Sequence, residues 1–456
     1  MMGRALVVGG GFAGVAAAVQ LHARGIGVTL IDANAALGGR ARSDDFGGAT
    51  IDVGAQLIAM SFEKTVALLK GGAAGGNVGL GSGRSEKGAF LRATPGRDVF
   101  VHGNARYPIQ FGSMTSLLRF GGLGAVEKLR LGAHIVPLLA RHRGRLTADA
   151  LQVDGTIDRE SARTHMTAHV GERAADALVE PAFNAFYAAR GSEMSFAFYL
   201  TLARYGSDAG MLTAPGGWSA ALAGAAKGVE CVLGTQITSL SLRPDAGVVA
   251  RTDDGREWAG DGAVIATDPA SAANLLTQSY GANNPMSNWL AALRLRPTWT
   301  LAIATDVVLK HDAFGIMRHP ADAKEVSACA ILGAKLGPEA PPDSDVVLAW
   351  PTPDAAERLR GEPSDAIVAA MMPEVELLMP QVKDHITRAR LYRFDPGNPI
   401  AAPGFLADRA HGRKLAEALP FPITLAGDYL AMPLIEGAVA SGEAAGRRLA
   451  EKVLSR

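Results

Sequence analysis

The chain has 456 residues, of which 48% are hydrophobic and 20% charged. That is too long for one small core; it suits two interleaved domains and argues against wholesale disorder. Lys+Arg and Asp+Glu are equal at 45 each, so the basic footprint that a nucleic-acid partner needs is missing.

The first predicted strand covers residues 4–9, and an alanine-rich helix over 12–24 follows until Gly25 stops it. A second strand, VTLID, completes a βαβ unit at Asp32. Between the first strand and the helix stands GGGFAG, where Gly9, Gly11 and Gly14 form G-x-G-x-x-G around Phe12 and Ala13. Glycine lets the backbone approach a pyrophosphate, whose charge then meets bare N–H groups at the helix N-terminus. Asp32, with Ala33 after it, is placed for a ribose hydroxyl. The unit predicts an adenine dinucleotide ligand, although the glycine pattern alone is common to NAD and FAD proteins.

LGGRARS follows at 37–43. Gly38 and Gly39 would let a loop pass beside the pyrophosphate, and Arg40 is suited to neutralise it. IDVGAQ at 51–56 supplies Gly54, Ala55 and Gln56, and the glycine-rich run at 71–88 is expected to be a mobile loop. Residues 96–217 hold most of the long helical patterns. One of them, LLRFGGLGAVEKLRLGAHIVPLLARHR, reads either as a basic amphipathic helix touching a membrane or as a helix pair with its charges in water. Gly121, Gly122 and Gly124 interrupt its periodicity and favour the second reading. His165 and His169 have i, i+4 spacing but lack the Glu of H-E-x-x-H, so they are read as surface or packing histidines and no metal is expected.

Residues 228–267 return to strands: GVECVLGTQITSLSL reads as strand, turn, strand, and a hairpin then leads to AVIAT, apolar throughout like a strand buried on both faces. Residues 281–394 mix strands with a helical stretch at 364–378 that Pro373 is expected to break or kink. ITLAGD at 423–428 and a helix over about 436–452 end the chain. The fold class is α/β, and nucleotide-binding segments at 1–95, 218–280 and 395–456 alternate with substrate-domain segments at 96–217, mostly helical, and 281–394. Cys231 and Cys329 read as two buried thiols in a reducing compartment. No secretory signal is visible and no apolar run reaches about twenty residues, so the cytoplasm is the default location.

Four patches together resemble the FAD-dependent amine oxidases, protoporphyrinogen oxidases and phytoene or squalene-pathway desaturases: GGGFAG with Asp32, LGGRARS, IDVGAQ, and LAGDYLAMPLIEGAVASGEAAGRRL at 425–449. The resemblance spans nearly the whole chain. It implies a glutathione-reductase-type, Rossmann-like FAD domain with an interleaved α+β substrate domain. It implies that Arg40 lies near the flavin phosphates and that the strand around Val232 meets adenine. Gly427 and Asp428 would stand by the pyrophosphate or ribityl chain. The helix after Glu436 would aim its N-terminus at the flavin, with Gly437 and Ala438 permitting close approach. Neither cysteine lies in the C-terminal motif, so the FAD is expected to be non-covalent.

The expected activity is dehydrogenation of a hydrophobic or cyclic small molecule, with oxygen or another electron acceptor. An amine oxidase releasing peroxide, and a redox-neutral isomerase or dehydratase, are the alternatives. Many amine oxidases of this kind carry a lysine near the flavin, on the strand that corresponds to 300–310; here Lys310 falls only at its end. Tyr187 and Trp299 are candidate pocket residues, and Arg393 is a candidate to meet an anionic substrate group; all three are weak catalytic candidates, more ordinary as structure or, for Arg393, as a surface salt bridge. Peripheral membrane contact and oligomeric state are left open.

Overall fold

The computed structural model describes residues 3–71, 91–94, 97–110, 113–149, 155–207, 210–244, 247–311 and 313–455. The loop expected at 71–88 lies outside them apart from Gly71, the last residue of a helix.

Five short strands from three distant parts of the chain form one parallel sheet. Their order is Glu230–Val232, Gly27–Ile31, Arg4–Val8, Gly262–Ile265, Ile423–Leu425. Past the exposed Arg4 and half-buried Gly27 the inner strands are buried throughout, as apolar runs covered on both faces must be. The helix Phe12–His22 packs along the C-terminal helix Ile435–Leu454. Gly442 and Gly446 bring the two backbones together: a Cβ at Gly442 would lie 2.1 Å from the Ala13 carbonyl oxygen. A three-stranded antiparallel sheet over Ser239–Leu242, Val248–Arg251 and Glu257–Gly260 sits beside this layer.

The second large sheet has seven strands in the order Ile386–Pro399, Leu295–Thr305, Asp345–Pro351, Val326–Ile331, Gly315–Arg318, Arg97–His102, Ala105–Gln110. Only the Gly315–Arg318 and Arg97–His102 pair is parallel. The stretch 96–217, expected to be mostly helical, therefore also supplies two strands to this sheet. Alternating exposure in ARYPIQ shows why helical periodicity does not find them.

Two further expectations are corrected. The helix Ser364–Leu378 is not broken at Pro373: Ile367, Met371, Val375 and Leu378 are buried on one side while the proline faces solvent. Cys231 is exposed on the edge strand of the parallel sheet, and only Cys329 is buried. The helix pair is present as expected: Gly121, Gly122 and Gly124 fall between the helices Met114–Arg119 and Ala125–His142, with Gly124 as the N-cap of the second. That helix is amphipathic but buries only Leu131, Ile135 and His142. Among the described residues no helix is long and apolar enough to cross a membrane.

Candidate active site

The three glycines of the first turn serve three different needs. Gly9 has φ +109°, and a Cβ there would lie 2.5 Å from the Ala266 carbonyl oxygen. A Cβ at Gly14 would lie 1.8 Å from the Gly9 oxygen. A Cβ at Gly11 would meet nothing within 4 Å, and Gly11 caps the helix Phe12–His22 with no side-chain hydrogen bond. The helix thus offers its N-terminal N–H groups to an open space of the kind an anionic ligand fills. Asp32, at the end of the second strand, is buried and accepts from Gly10 N at 2.5 Å, Asn34 N at 2.7 Å and Asn34 Nδ2 at 2.8 Å.

Gly38 and Gly39 both have positive φ, and Gly38 N donates to the Gly10 oxygen at 2.9 Å, so this loop lies against the first turn. Arg40 donates from Nη2 to Asp428 Oδ1 at 2.7 Å and from Nη1 to Asn398 Oδ1 at 2.8 Å. Burial works against its charge, but Asp428, with Asp268 and Tyr187, outweighs burial and holds the guanidinium above its ordinary range. Arg40 therefore clamps the early loop to the C-terminal motif as well as facing the cavity. Gly54 is held under this loop, where a Cβ would lie 1.8 Å from the Arg40 oxygen.

Asp52 anchors the next segment. Its Oδ1 accepts from Ser43 Oγ at 2.7 Å and Trp218 N at 3.0 Å, and its Oδ2 from Lys335 Nζ at 2.5 Å. Lys335 also donates to Gln56 Oε1 at 3.3 Å. Both members of the Lys335–Asp52 pair have side chains 2% exposed.

One cavity of about 1420 Å³ joins these pieces. Its wall includes Gly9, Gly11, Phe12 and Ala13, then Asp32 and Ala33, Gly38, Gly39 and Arg40, and Gly54, Ala55 and Gln56. Gly427, Asp428 and Ala438 face it from the C-terminal motif. Four expected ligand residues stand outside the wall. Gly14 is required for packing of the turn, as above. The Val232 carbonyl accepts from Asp32 N at 3.0 Å, so it positions Asp32. Glu436 is turned away and caps the helix Glu63–Gly71, accepting from Lys64 N at 2.8 Å, Thr65 N at 2.9 Å and Thr65 Oγ1 at 2.6 Å. A Cβ at Gly437 would lie 2.0 Å from the Met432 oxygen, so that glycine serves the chain's own turn.

A small-molecule site usually has roughly 300–1,000 Å³. The larger space suits an extended dinucleotide together with a second molecule. Part of the wall is apolar, with Leu131, Ile135, Leu139, Leu178, Tyr199 and Leu202. Tyr187, Trp299 and Arg393 all line it. The Tyr187 hydroxyl donates to the Pro433 oxygen at 3.1 Å, in the loop before the C-terminal helix, and burial, then Asp428, push its pKa far up. The Arg393 guanidinium lies 5.7 Å over the Trp299 ring and donates to the Glu362 oxygen at 2.8 Å. Trp299 Nε1 is buried with no partner.

Sequence reasoning missed Asp98, on Arg97–His102. It is half-buried in the cavity wall, accepts from Gly315 N at 3.0 Å, and burial pushes it up to about 7. A carboxyl that titrates near neutrality in a cleft is a candidate for proton or cation binding. The folded protein keeps this proton where the unfolded chain, near 3.8, has released it. Its contribution is therefore whole below that value and is lost as pH rises through about 7. Asp98→Asn should melt higher than the parent above neutral pH, with the gap closing toward acid. Melting temperatures across pH check this; a gap that does not change with pH contradicts it.

Residues 12–450 match the family model for flavin-containing amine oxidoreductases, and the chain belongs to that family. It is a FAD-dependent oxidoreductase, and FAD is its cofactor. Solved structures share the fold at low identity. An Exiguobacterium protein assigned as a protoporphyrinogen oxidase is 18% identical, with TM-score 0.71, over 98% of this chain and 99% of that one. Cyclohexylamine oxidase from Brevibacterium oxydans is 16% identical, with TM-score 0.71, over 100% of both chains. A fatty acid isomerase from P. acnes that produces CLA is 15% identical, with TM-score 0.70, over 98% of both chains. No curated protein matches by sequence.

Proposed function

We propose that the protein dehydrogenates a hydrophobic or cyclic small molecule at the apolar end of its cavity. FAD, when bound, supplies the hydride acceptor for a substrate C–H bond. The observation that carries the reading is continuity: the glycine turn and the apolar walls line one space. In that space Gly9, Gly11, Gly38, Gly39 and Arg40 would hold the phosphates, and Asp32 the ribose. The apolar wall orients the substrate and excludes water. Under anaerobic conditions, porphyrinogens or isoprenoids should bleach the bound flavin; if only polar compounds do so, the reading fails. Turnover without any external acceptor would mark redox-neutral isomerisation instead.

Asp98 favours a second reading, oxidation of an amine with peroxide release. A carboxylate in an apolar wall gives an ammonium group its counter-charge. Loss of amine-driven reduction in Asp98→Asn, with apolar substrates unaffected, would decide for it.

The cavity mouth supports membrane-peripheral placement. Met114, Leu118 and Val136 line the cavity and are also exposed. Leu129, 75% exposed, continues the apolar stripe along Ala125–His142, with Arg119, Arg130 and Arg141 exposed on the same two helices. Apolar side chains edged by arginines fit an anionic lipid surface, from which a hydrophobic substrate would enter. Leu118→Glu/Leu129→Glu should sediment with phosphatidylserine-containing vesicles at least about tenfold less than the parent. Equal sedimentation would remove the membrane from the proposal.

A further inference from the structure

We propose that His134, His165 and His169 form a binding site for a late first-row divalent metal ion, which staples the cavity-mouth helix to the body of the protein. His134 lies on Ala125–His142 and the other two at i, i+4 on Ala162–His169. One ligand nitrogen of each ring lies within 4.8 Å of the others.

The geometry is closest to coordination at His134 and His165, whose Nε2 atoms are 2.8 Å apart. Two nitrogens at right angles around an ion, each about 2.0 Å from it, have that separation. The Glu160 carboxylate lies 3.6 Å from His165 Nδ1, which favours the proton on Nδ1 and leaves the Nε2 lone pair toward His134. The His165 ring is further fixed by stacking on Phe196, centroid to centroid 3.6 Å. His169 is exposed and stacks on His134 at 4.3 Å. Turning its ring out of the stack brings in the third nitrogen, and water completes the shell. Imidazole donors of this kind select zinc, copper or nickel over magnesium or calcium.

The consequence reaches the cavity. Leu131, Ile135 and Leu139 flank His134 on its helix and line the space described above. An ion at His134 would fix that wall, and with it the width of the mouth.

The test uses the full-length, FAD-loaded protein stripped with chelator. Zinc chloride is titrated by calorimetry, and copper binding is read by electron paramagnetic resonance, which reports nitrogen ligands. One equivalent should bind. His134→Gln and the exposed His169→Asn should each weaken it at least about tenfold, while His102→Gln leaves it unchanged. Circular dichroism confirms that each variant is folded. No binding by the parent, or equal binding by the His134 and His169 variants, overturns the proposal. So does loss of binding in His102→Gln, which would move the ion to the separate His102, His319 and Asp322 group.

Discussion

Gly11→Val should fold and purify without its yellow cofactor, whereas Gly14→Val should fail to fold. The two positions are three residues apart in one motif, yet their surroundings are opposite. Gly11 has φ −72° and ψ −179°, a conformation open to any residue, and a Cβ there touches no protein atom within 4 Å. The added methyls of valine project into the space assigned to the pyrophosphate, so the penalty falls on the ligand. FAD affinity should drop at least about 100-fold, or ~2.7 kcal/mol. A Cβ at Gly14 stands 1.8 Å from the Gly9 carbonyl oxygen. Backbone cannot yield to that contact without parting strand from helix, and the resulting loss is comparable with the roughly 5–15 kcal/mol that holds a domain folded. Flavin absorbance after gel filtration, with circular dichroism as the check on folding, separates the two outcomes. A yellow, fully loaded Gly11→Val would mean that the phosphates lie elsewhere.

Glycine geometry of this kind is local, which is why the nucleotide half was legible before any coordinates. A strand, a turn of three glycines and a helix are written in consecutive residues, and the structure brings Gly9 and Gly11, Gly38 to Arg42, and Gly427, Asp428 and Ala438 around one cavity. Spacing does not say which way a side chain turns. Glu436 falls where the pattern expects a cofactor neighbour, yet its carboxylate satisfies Lys64 and Thr65 N–H groups of another helix. Asp98 was invisible for a different reason. RDVFVH reads as an ordinary strand, and the aspartate becomes unusual only when sheet pairing lays it against Gly315, 217 residues away. His134 likewise acquires meaning only when its helix packs near His165, 31 residues on. In each case long-range packing sets the chemistry, and no window of sequence contains it.

Lys335→Met should destabilise the folded protein by about 3–5 kcal/mol, the cost of leaving a buried charge without its partner. Its partner Asp52 is 283 residues away, and both side chains are 2% exposed. Asp52 would keep its bonds from Ser43 Oγ and Trp218 N, but these offset only part of the lost counter-charge. The same carboxylate orders the segment that carries Gly54 and Gln56 into the cavity wall, and Lys335 itself donates to Gln56. Cofactor retention should therefore fall together with stability. Asp52→Asn/Lys335→Met distinguishes charge from packing. Neutralising both partners removes the unpaired charge, so the double variant should recover at least about half of the loss. Urea unfolding of the parent, both single variants and the double variant gives the coupling directly. If the double variant is as unstable as the two losses summed, packing of the lysine stem rather than its charge holds this corner of the site.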